Sequence, residues 1–563
     1  MAMKPESTED KNNYLARIKR DWLQASHSPY DLASFGLFSI LAFLIVLTFR
    51  QYGITWDEPV QNMYGADIAR YYVMLLHGRY VPPIDHAANL TLYGGLFDTI
   101  ASPLNLIFRH HGLYEARHLL NATFGLIGII GCWKVARFVG GPIVGFLAAL
   151  FLAITPRYYG GMFNNPKDIP FAVCYIWAVY FILRFAEQFP KVPRSTTVKL
   201  GLAMGAALAM RIGALVLFGY LGLAIGMWLT MRVAKDGVSA ARVLPSMLAS
   251  SGIVAAISWV VMLLFWPFAQ VNPFTRPFQA FSKFSYYSDW QAVVLFRGAL
   301  IKGTQLPRTY IVQWLLMTLP EITLIALAVG VMYCAWLLFS RERANVPGLL
   351  NCVILILAGT FPIAYVVLRR SVLYNAERHL SFVLPPLACL AAWGGYRAVS
   401  NLNVTAKRAI ATVVVVYLAF QIGMMTRLHP DEYVYFNQFA GGLQGAAGRY
   451  ETDYWGNSYR EAVGDLAQYL NGSGPAAGEK KYKIYVFHMY LACVTYYFPK
   501  NFSLTDDPAD ADFFIGNTSL GHDKEIDGRV LLKVERLGVP LAVIKELPAA
   551  EARGMALDSA KSF

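Results

Sequence analysis

Long apolar runs separated by short polar stretches dominate the chain. The first runs from Leu32 to Phe49, behind a polar N-terminal stretch carrying Lys4, Lys11, Arg17, Lys19 and Arg20. No small-residue cleavage site follows directly, so it reads as an uncleaved first helix with the N-terminus inside. Comparable runs recur at about 118–138, 141–156, 169–187, 246–266, 321–339, 347–368, 379–398 and 408–426, each of a length that suits a bilayer. The stretch 199–231, interrupted by Arg211, suits one broken helix or two short ones. Two crossings keep Arg232, Lys235 and Arg242 on the inner side, so two are preferred. The pattern predicts about eleven transmembrane helices, an all-α polytopic membrane domain.

Between the first two spans the period changes. Tyr64, Ile68, Tyr71, Tyr72, Leu75 and Leu76 recur at helical spacing and stop at Gly78. Farther on, Tyr93, Leu96, Phe97, Ile100, Leu104 and Ile107 oppose Asp98, Ser102, Asn105 and Arg109. Both read as amphipathic helices lying on the outer surface. A crossing at 91–108 would instead carry Lys134 and Arg137 outside, against the basic bias of inner loops. On this topology the polar loop 157–168 and a long aromatic, basic loop ending at Pro320 also face outward.

From His429 the sequence turns mixed and polar. Strand-like runs at Lys483–Phe487, Phe513–Ile515, Val530–Val534 and Leu541–Ile544, with a helical run from Ser458 to Leu470, predict a small C-terminal α/β domain. A Gly/Pro/Ala-rich loop, 471–481, separates helix from strands. The expected organisation is a cytoplasmic segment 1–30, a transmembrane domain 31–427 and an outer, periplasmic α/β domain 428–563.

Composition agrees with this pattern. The 563 residues are 56% hydrophobic and 15% charged, where soluble domains carry about 25% charged residues, which excludes an ordinary soluble enzyme. The 49 basic residues against 36 acidic give a net charge of +13. In a membrane protein that excess orients loops, and no nucleic-acid partner is expected. Five of the six cysteines sit in apolar segments, with neither a disulfide framework nor metal-type spacing.

Three polar clusters fall on the outer side. Thr55-Trp56-Asp57-Glu58-Pro59 follows the first span, and a carboxylate there can serve as a general base toward a hydroxyl, although Asp57 is also a fit N-cap for the helix it opens. Arg157-Tyr158-Tyr159-Gly160-Gly161-Met162-Phe163-Asn164-Asn165-Pro166-Lys167-Asp168 packs basic, aromatic, amide and acidic groups at the mouth of two spans, and Asp168 equally suits a cap before Ile169-Pro170. Arg369-Arg370 and Asn375-Ala376-Glu377-Arg378-His379 precede a span holding Pro385-Pro386. Outer basic residues run against the usual bias and suit either an anionic partner or lipid headgroups.

With these motifs the chain resembles the GT-C class of integral-membrane glycosyltransferases. It is most similar there to the protein O-mannosyltransferase and lipid A aminoarabinose transferase-like group, over about residues 30–400. Trp56-Asp57-Glu58 corresponds to that group's first-loop acid, Asn165-Pro166-Lys167-Asp168 to its second, and Glu377-Arg378-His379 to a later Arg-aromatic element, with His where an aromatic is common. The resemblance implies transfer of a monosaccharide from a polyprenyl-phosphate donor to a hydroxyl of a periplasmic glycolipid, glycan or protein, with inversion. Asp57 would be the base, with Glu58 and Asp168 orienting the acceptor or tuning Asp57. Lys167, Arg378 and His379, with Arg157 and Arg211 behind them, would contact phosphate, and Tyr158, Tyr93 and Asn165 would contact substrate. No cofactor is required; a divalent metal on Asp57, Glu58 and Asp168 stays open. The expected setting is a bacterial inner membrane, and the rival function is a transporter or flippase of a lipid-linked sugar.

Overall fold

A computed structural model describes residues 28–79, 90–108, 112–237, 239–285, 293–339, 346–472 and 480–548. The basic N-terminal stretch, Arg341, Arg343 and most of the loop 471–481 lie outside them. Among the described residues eight helices are long and apolar enough to cross a membrane: Pro29–Thr48, Leu113–Gly140, Asp168–Glu187, Ile212–Val233, Ala240–Leu264, Gly348–Arg369, Arg378–Ser400 and Val404–Leu428. A bent pair, Pro142–Ala153 with Pro156–Asn164, makes a ninth. Helices Arg194–Leu208 and Glu321–Phe339 occupy the remaining predicted spans. The ambiguous stretch around Arg211 is thus two helices, Arg194–Leu208 and Val216–Asp236, separated by extended Arg211 and a 3-10 turn, Ile212–Leu215.

Small residues let the spans approach closely, as packing in a membrane requires. Helices Glu321–Phe339 and Leu384–Ser400 cross where Gly330 meets Gly394, and a Cβ on Gly394 would stand 1.9 Å from the Gly330 Cα. The sequence reading of 157–168 as a loop is corrected: after Thr155, the chain bends by 67° and continues as helix Pro156–Asn164. Every residue of that helix is buried, so its polar composition reflects a polar interior and not solvent. In the stretch after the first span, helix Asp57–Leu76 forms as expected, whereas the second amphipathic stretch breaks into Leu96–Ala101 and Leu104–Ile107 around Pro103. A small antiparallel hairpin, β1 (Val293–Phe296) with β2 (Ala299–Lys302), was not foreseen in the long aromatic, basic loop ending at Pro320.

The C-terminal strands are β3 (Tyr482–Val486), β4 (Phe502–Leu504), β5 (Phe513–Asn517), β6 (Arg529–Arg536) and β7 (Val539–Glu546), in the order β4-β3-β5-β7-β6. β3 runs parallel to both neighbours; β5–β7 and β7–β6 are antiparallel. Helix Tyr459–Gly472 buries Tyr459, Ala462, Val463, Leu466 and Leu470 against Ile484, Val486, Ile515 and Ile544 in a core separate from that of the spans. The Gly- and aromatic-rich segment before it behaves differently. Tyr433, Val434, Tyr435, Phe436, Tyr450, Tyr454 and Trp455 belong to the core of the helical domain and lie over its site.

Candidate active site

The first acidic motif divides its two carboxylates between different tasks. Glu58 turns back: its carboxylate accepts from the Thr55 N–H at 2.8 Å and hydroxyl at 3.3 Å, and lies 3.0 Å from Nε2 of buried His118. This is the return half of a capping box, with Thr55 and Glu58 three residues apart. The helix start is therefore secured without Asp57, which corrects the N-cap reading of Asp57, and Glu58 is engaged by Thr55 and His118.

Asp57, released from capping, pairs with the Arg378 guanidinium. Its side chain is 16% exposed, against 2% for Asp168 and Glu58, so it is the acid a substrate can reach. Burial alone would raise the Asp57 pKa, but the Arg378 guanidinium and the Lys167 ammonium outweigh it and hold the carboxyl below its ordinary range. The expected tuning by neighbouring carboxylates runs the other way: cations dominate, and Asp57 is ionised at neutral pH. Arg378 sits among the rings of Trp56, Tyr374 and Trp455, at 5.9, 5.1 and 5.6 Å from their centroids. The Trp56 N–H donates to the Trp455 carbonyl at 3.3 Å, tying the acidic motif to the C-terminal segment.

The second acid is arranged by the same logic. Asn165 Oδ1 accepts the Asp168 N–H at 3.0 Å, while Asn165 Nδ2 donates to the Asp168 carboxylate at 3.1 Å. Asn165 performs the capping expected of Asp168 and also holds the carboxylate of that acid. Asp168 in turn pairs with Arg211, presented by the break between two helices. Lys167 stands 4.9 Å from the Tyr93 ring centroid and, among the described residues, its ammonium has neither hydrogen bond nor ion pair. Arg211 lies over the same Tyr93 ring, 5.6 Å from its centroid, and 5.7 Å from that of Phe171.

Of these groups Tyr93, Arg211 and Tyr374 line one end of a groove of about 760 Å³, and Asp168, Lys167 and Arg378 adjoin it through Arg211, Tyr93 and Tyr374. Arg211, Tyr93, Tyr374 and His379 line that polar end; Val216, Leu223, Leu357, Phe361 and Val366 continue it between helices Val216–Asp236 and Val346–Arg369. A charged mouth on an apolar channel between spans fits an amphiphile with an anionic head and a hydrocarbon tail.

Two sequence candidates are not part of this mouth. Arg157 is buried, its Nε 3.3 Å from Glu377 and hydrogen-bonded to the Tyr435 carbonyl at 3.2 Å. Tyr158 is fully buried and donates to the Gly125 carbonyl at 3.0 Å. Both brace helix Pro156–Asn164, whose polar residues therefore answer to the packing around them. Asp57, Glu58 and Asp168 do not converge: among the described residues no group of three or more His, Cys, Asp or Glu side chains could hold a metal ion. Sequence reasoning missed Tyr374, whose ring encloses Arg378 together with that of Trp455, and Asn457, which accepts from the Gly53 N–H at 2.7 Å and from Asn164 at 2.9 Å. Their density of aromatics and amides was visible, but nothing in the sequence fixed which face they cover.

Residues 104–266 match the model of the dolichyl-phosphate-mannose-protein mannosyltransferase family. That stretch includes Asn165, Lys167, Asp168 and Arg211. The resemblance read from the acidic motifs is borne out at the level of class, and the enzyme class expected from the sequence, a GT-C-type glycosyltransferase, is the class of this family. No curated protein matches the chain. Among solved structures it is similar to ArnT from Cupriavidus metallidurans bound to undecaprenyl phosphate, with 16% identity over 91% of this chain and 97% of that one, TM-score 0.44. It is also similar to the archaeal oligosaccharyltransferase AglB from Archaeoglobus fulgidus, with 11% identity over 86% and 69% and a TM-score of 0.49. Arabinofuranosyltransferase AftD from Mycobacteria matches at 13% identity over 82% and 36%, TM-score 0.35.

Proposed function

We propose that the chain transfers a monosaccharide from a polyprenyl-phosphate donor to an acceptor hydroxyl on the outer face of a bacterial inner membrane, with Asp57 as the general base. The observation that carries this reading is an ionised, partly open carboxylate paired with Arg378, whose neighbour Tyr374 lines the end of an apolar groove that Arg211 and His379 also line. The isoprenoid would lie in the groove and its phosphate would meet Lys167, which has a charge to share, with Arg211 and His379 beside it. Asp57 would take the proton as the acceptor oxygen bonds to the anomeric carbon from the opposite side. The bond from that carbon to the phosphate oxygen breaks, its electron pair stays on the phosphate, and the cations offset the growing charge. Asp168 would keep Arg211 oriented, and Arg378 would keep Asp57 ionised. The acceptor is a glycolipid, glycan or protein of the outer compartment.

The test is transfer by the purified full-length protein from a polyprenyl-phosphate sugar. Asp57→Asn is expected to abolish transfer while leaving expression and thermal stability intact. Near wild-type turnover by that variant would remove Asp57 as the base.

A further inference from the structure

The groove that ends at Arg211 and Tyr93 has exposed residues in its walls. Leu223 and Phe361 line it and are exposed, and they stand on the membrane-spanning helices Ile212–Val233 and Gly348–Arg369. A cavity with exposed walls on two spans opens sideways, toward acyl chains and not toward water.

Helix Arg276–Ser285 roofs that opening. Phe281, Phe284 and Ser285 line the groove, Phe284 meets the Tyr93 ring at 4.5 Å, and the Tyr365 hydroxyl donates to the Ser285 hydroxyl at 3.5 Å. The chain reaches this place by folding back on the span Ala240–Leu264. Arg276 donates to the Phe268 carbonyl at 3.1 Å, and its guanidinium lies 4.6 Å from the Phe268 ring centroid, which closes the turn after the span. Phe274 and Phe278 then pack on Trp259, at ring-centroid distances of 6.4 and 6.1 Å.

Trp259 fixes the depth. It lies more than a turn before the end of its span at Leu264, about 7 Å at the helical rise of about 1.5 Å per residue. The two rings that reach it are 75% and 53% exposed, and they continue the exposed face that Val260 and Leu264 give the same span. The neighbouring stripe, Thr275, Gln279 and Ser282, is exposed as well, but polar. Adjacent apolar and polar stripes, the apolar one alongside a span and below its end, fit a helix lying in the surface of a leaflet.

We propose that helix Arg276–Ser285 is embedded in the leaflet beside the site, with its Phe274 and Phe278 edge among phospholipid acyl chains, so that a lipid donor's tail enters the groove beneath it from within the bilayer. The route rests on the transferase reading above, whereas the depth of the helix is independent of it.

Two measurements separate them. The first uses the full-length protein in nanodiscs of phosphatidylethanolamine and phosphatidylglycerol, with a nitroxide on Phe278→Cys or Gln279→Cys and the parent chain as blank. Oxygen, which partitions into lipid, is expected to relax the Phe278→Cys label several-fold more than a water-soluble nickel chelate does, and the Gln279→Cys label is expected to show the reverse. Equal access of the chelate to both labels would put the helix in water and overturn the proposal. Protection of Phe278→Cys from both reagents would mean that protein covers this edge, and overturns it too.

The second is sugar transfer in the same nanodiscs. Phe274→Ser with Phe278→Ser is expected to raise KM about five-fold for a long-chain polyprenyl donor and to leave KM for a short, water-soluble isoprenyl donor within about two-fold. Phe274→Leu with Phe278→Leu, which keeps the edge apolar, is expected to match the wild type. A general loss of folded protein would instead lower turnover of both donors alike. Unchanged KM for the long-chain donor, or an equal rise for both, counts against the route and overturns it. If the wild-type chain shows no transfer, the transferase reading fails while the labels still decide the depth.

Discussion

Asp57 and Asp168 are each the first residue of a helix, a place where an acid ordinarily spends its oxygens on backbone N–H groups. In both cases a neighbour does that work, Thr55 with Glu58 for one and Asn165 for the other, and the acid is left to hold a guanidinium. The motif was legible because adjacent carboxylates directly follow an apolar span; the division of labour inside it was not, because Thr-x-x-Glu and Asn-x-x-Asp admit either partner as the cap. Two residue-level outcomes follow. Glu58→Gln is expected to retain transfer, since an amide oxygen still accepts from Thr55, whereas Glu58→Ala is expected to lower stability by about 1–3 kcal/mol through the lost cap and stranded partners. Thermal melts with transfer assays check both, and loss of transfer in a well-folded Glu58→Gln chain would return Glu58 to the chemistry. Lys167→Met is expected to weaken donor binding about ten-fold or more with little effect on acceptor KM, because it removes a cation that, among the described residues, makes no ion pair and lies over the Tyr93 ring that lines the groove. Donor titration checks it; an equal rise in both constants counts against the phosphate contact.

Helices were read well wherever apolarity ran long enough to cross a bilayer, since burial in lipid and burial in protein ask for the same residues. The reading failed where a helix is buried but polar, as at Pro156–Asn164, and where a strand is too short to show alternation, as at β4 and the β1–β2 hairpin. The groove could not be read from the sequence either, because it is the gap between two helices and no single stretch encodes a gap. Glycine placement now gives it a test. Gly219 lines the groove, is exposed, and a Cβ there would meet nothing within 4 Å. Gly219→Phe therefore adds a ring to the channel without disturbing the packed side of its helix, where replacing glycine also favours the helical state. The expected result is a several-fold higher donor KM at an unchanged or higher melting temperature. Unaltered KM for a long-chain donor would show that the tail lies elsewhere.

At the scale of the molecule, the C-terminal segment is the joint on which the site depends. The change of composition at His429 was plain, yet the segment from Tyr433 to Trp455 packs into the helical core, and the second core begins at Tyr459. Aromatic and glycine content said only that this segment is packed, and the partner it packs on is set by the fold. Its buried acids give the joint a pH dependence. Burial pushes Glu451 from its ordinary 4.5 up to about 8, with Arg378 and Arg157 pulling it partly back, and burial likewise raises Asp431 and Asp453 above the usual aspartate range. An acid with a higher pKa folded than unfolded keeps its proton in the folded chain after the unfolded chain has lost it. Folding therefore takes up protons between those two values, and stability falls as pH rises across the window. For Glu451 the window runs from about 4.5 to about 8. Asp57, held low by its cations, contributes the opposite slope only below its ordinary 3.8. The purified protein is thus expected to melt at a higher temperature at pH 5.5 than at pH 8.5, and Glu451→Gln, which cannot ionise, is expected to flatten that difference. A melting temperature that climbs from pH 5.5 to 8.5 would mean that these acids keep their ordinary pKa values, and hence that water reaches the joint between the C-terminal segment and the spans.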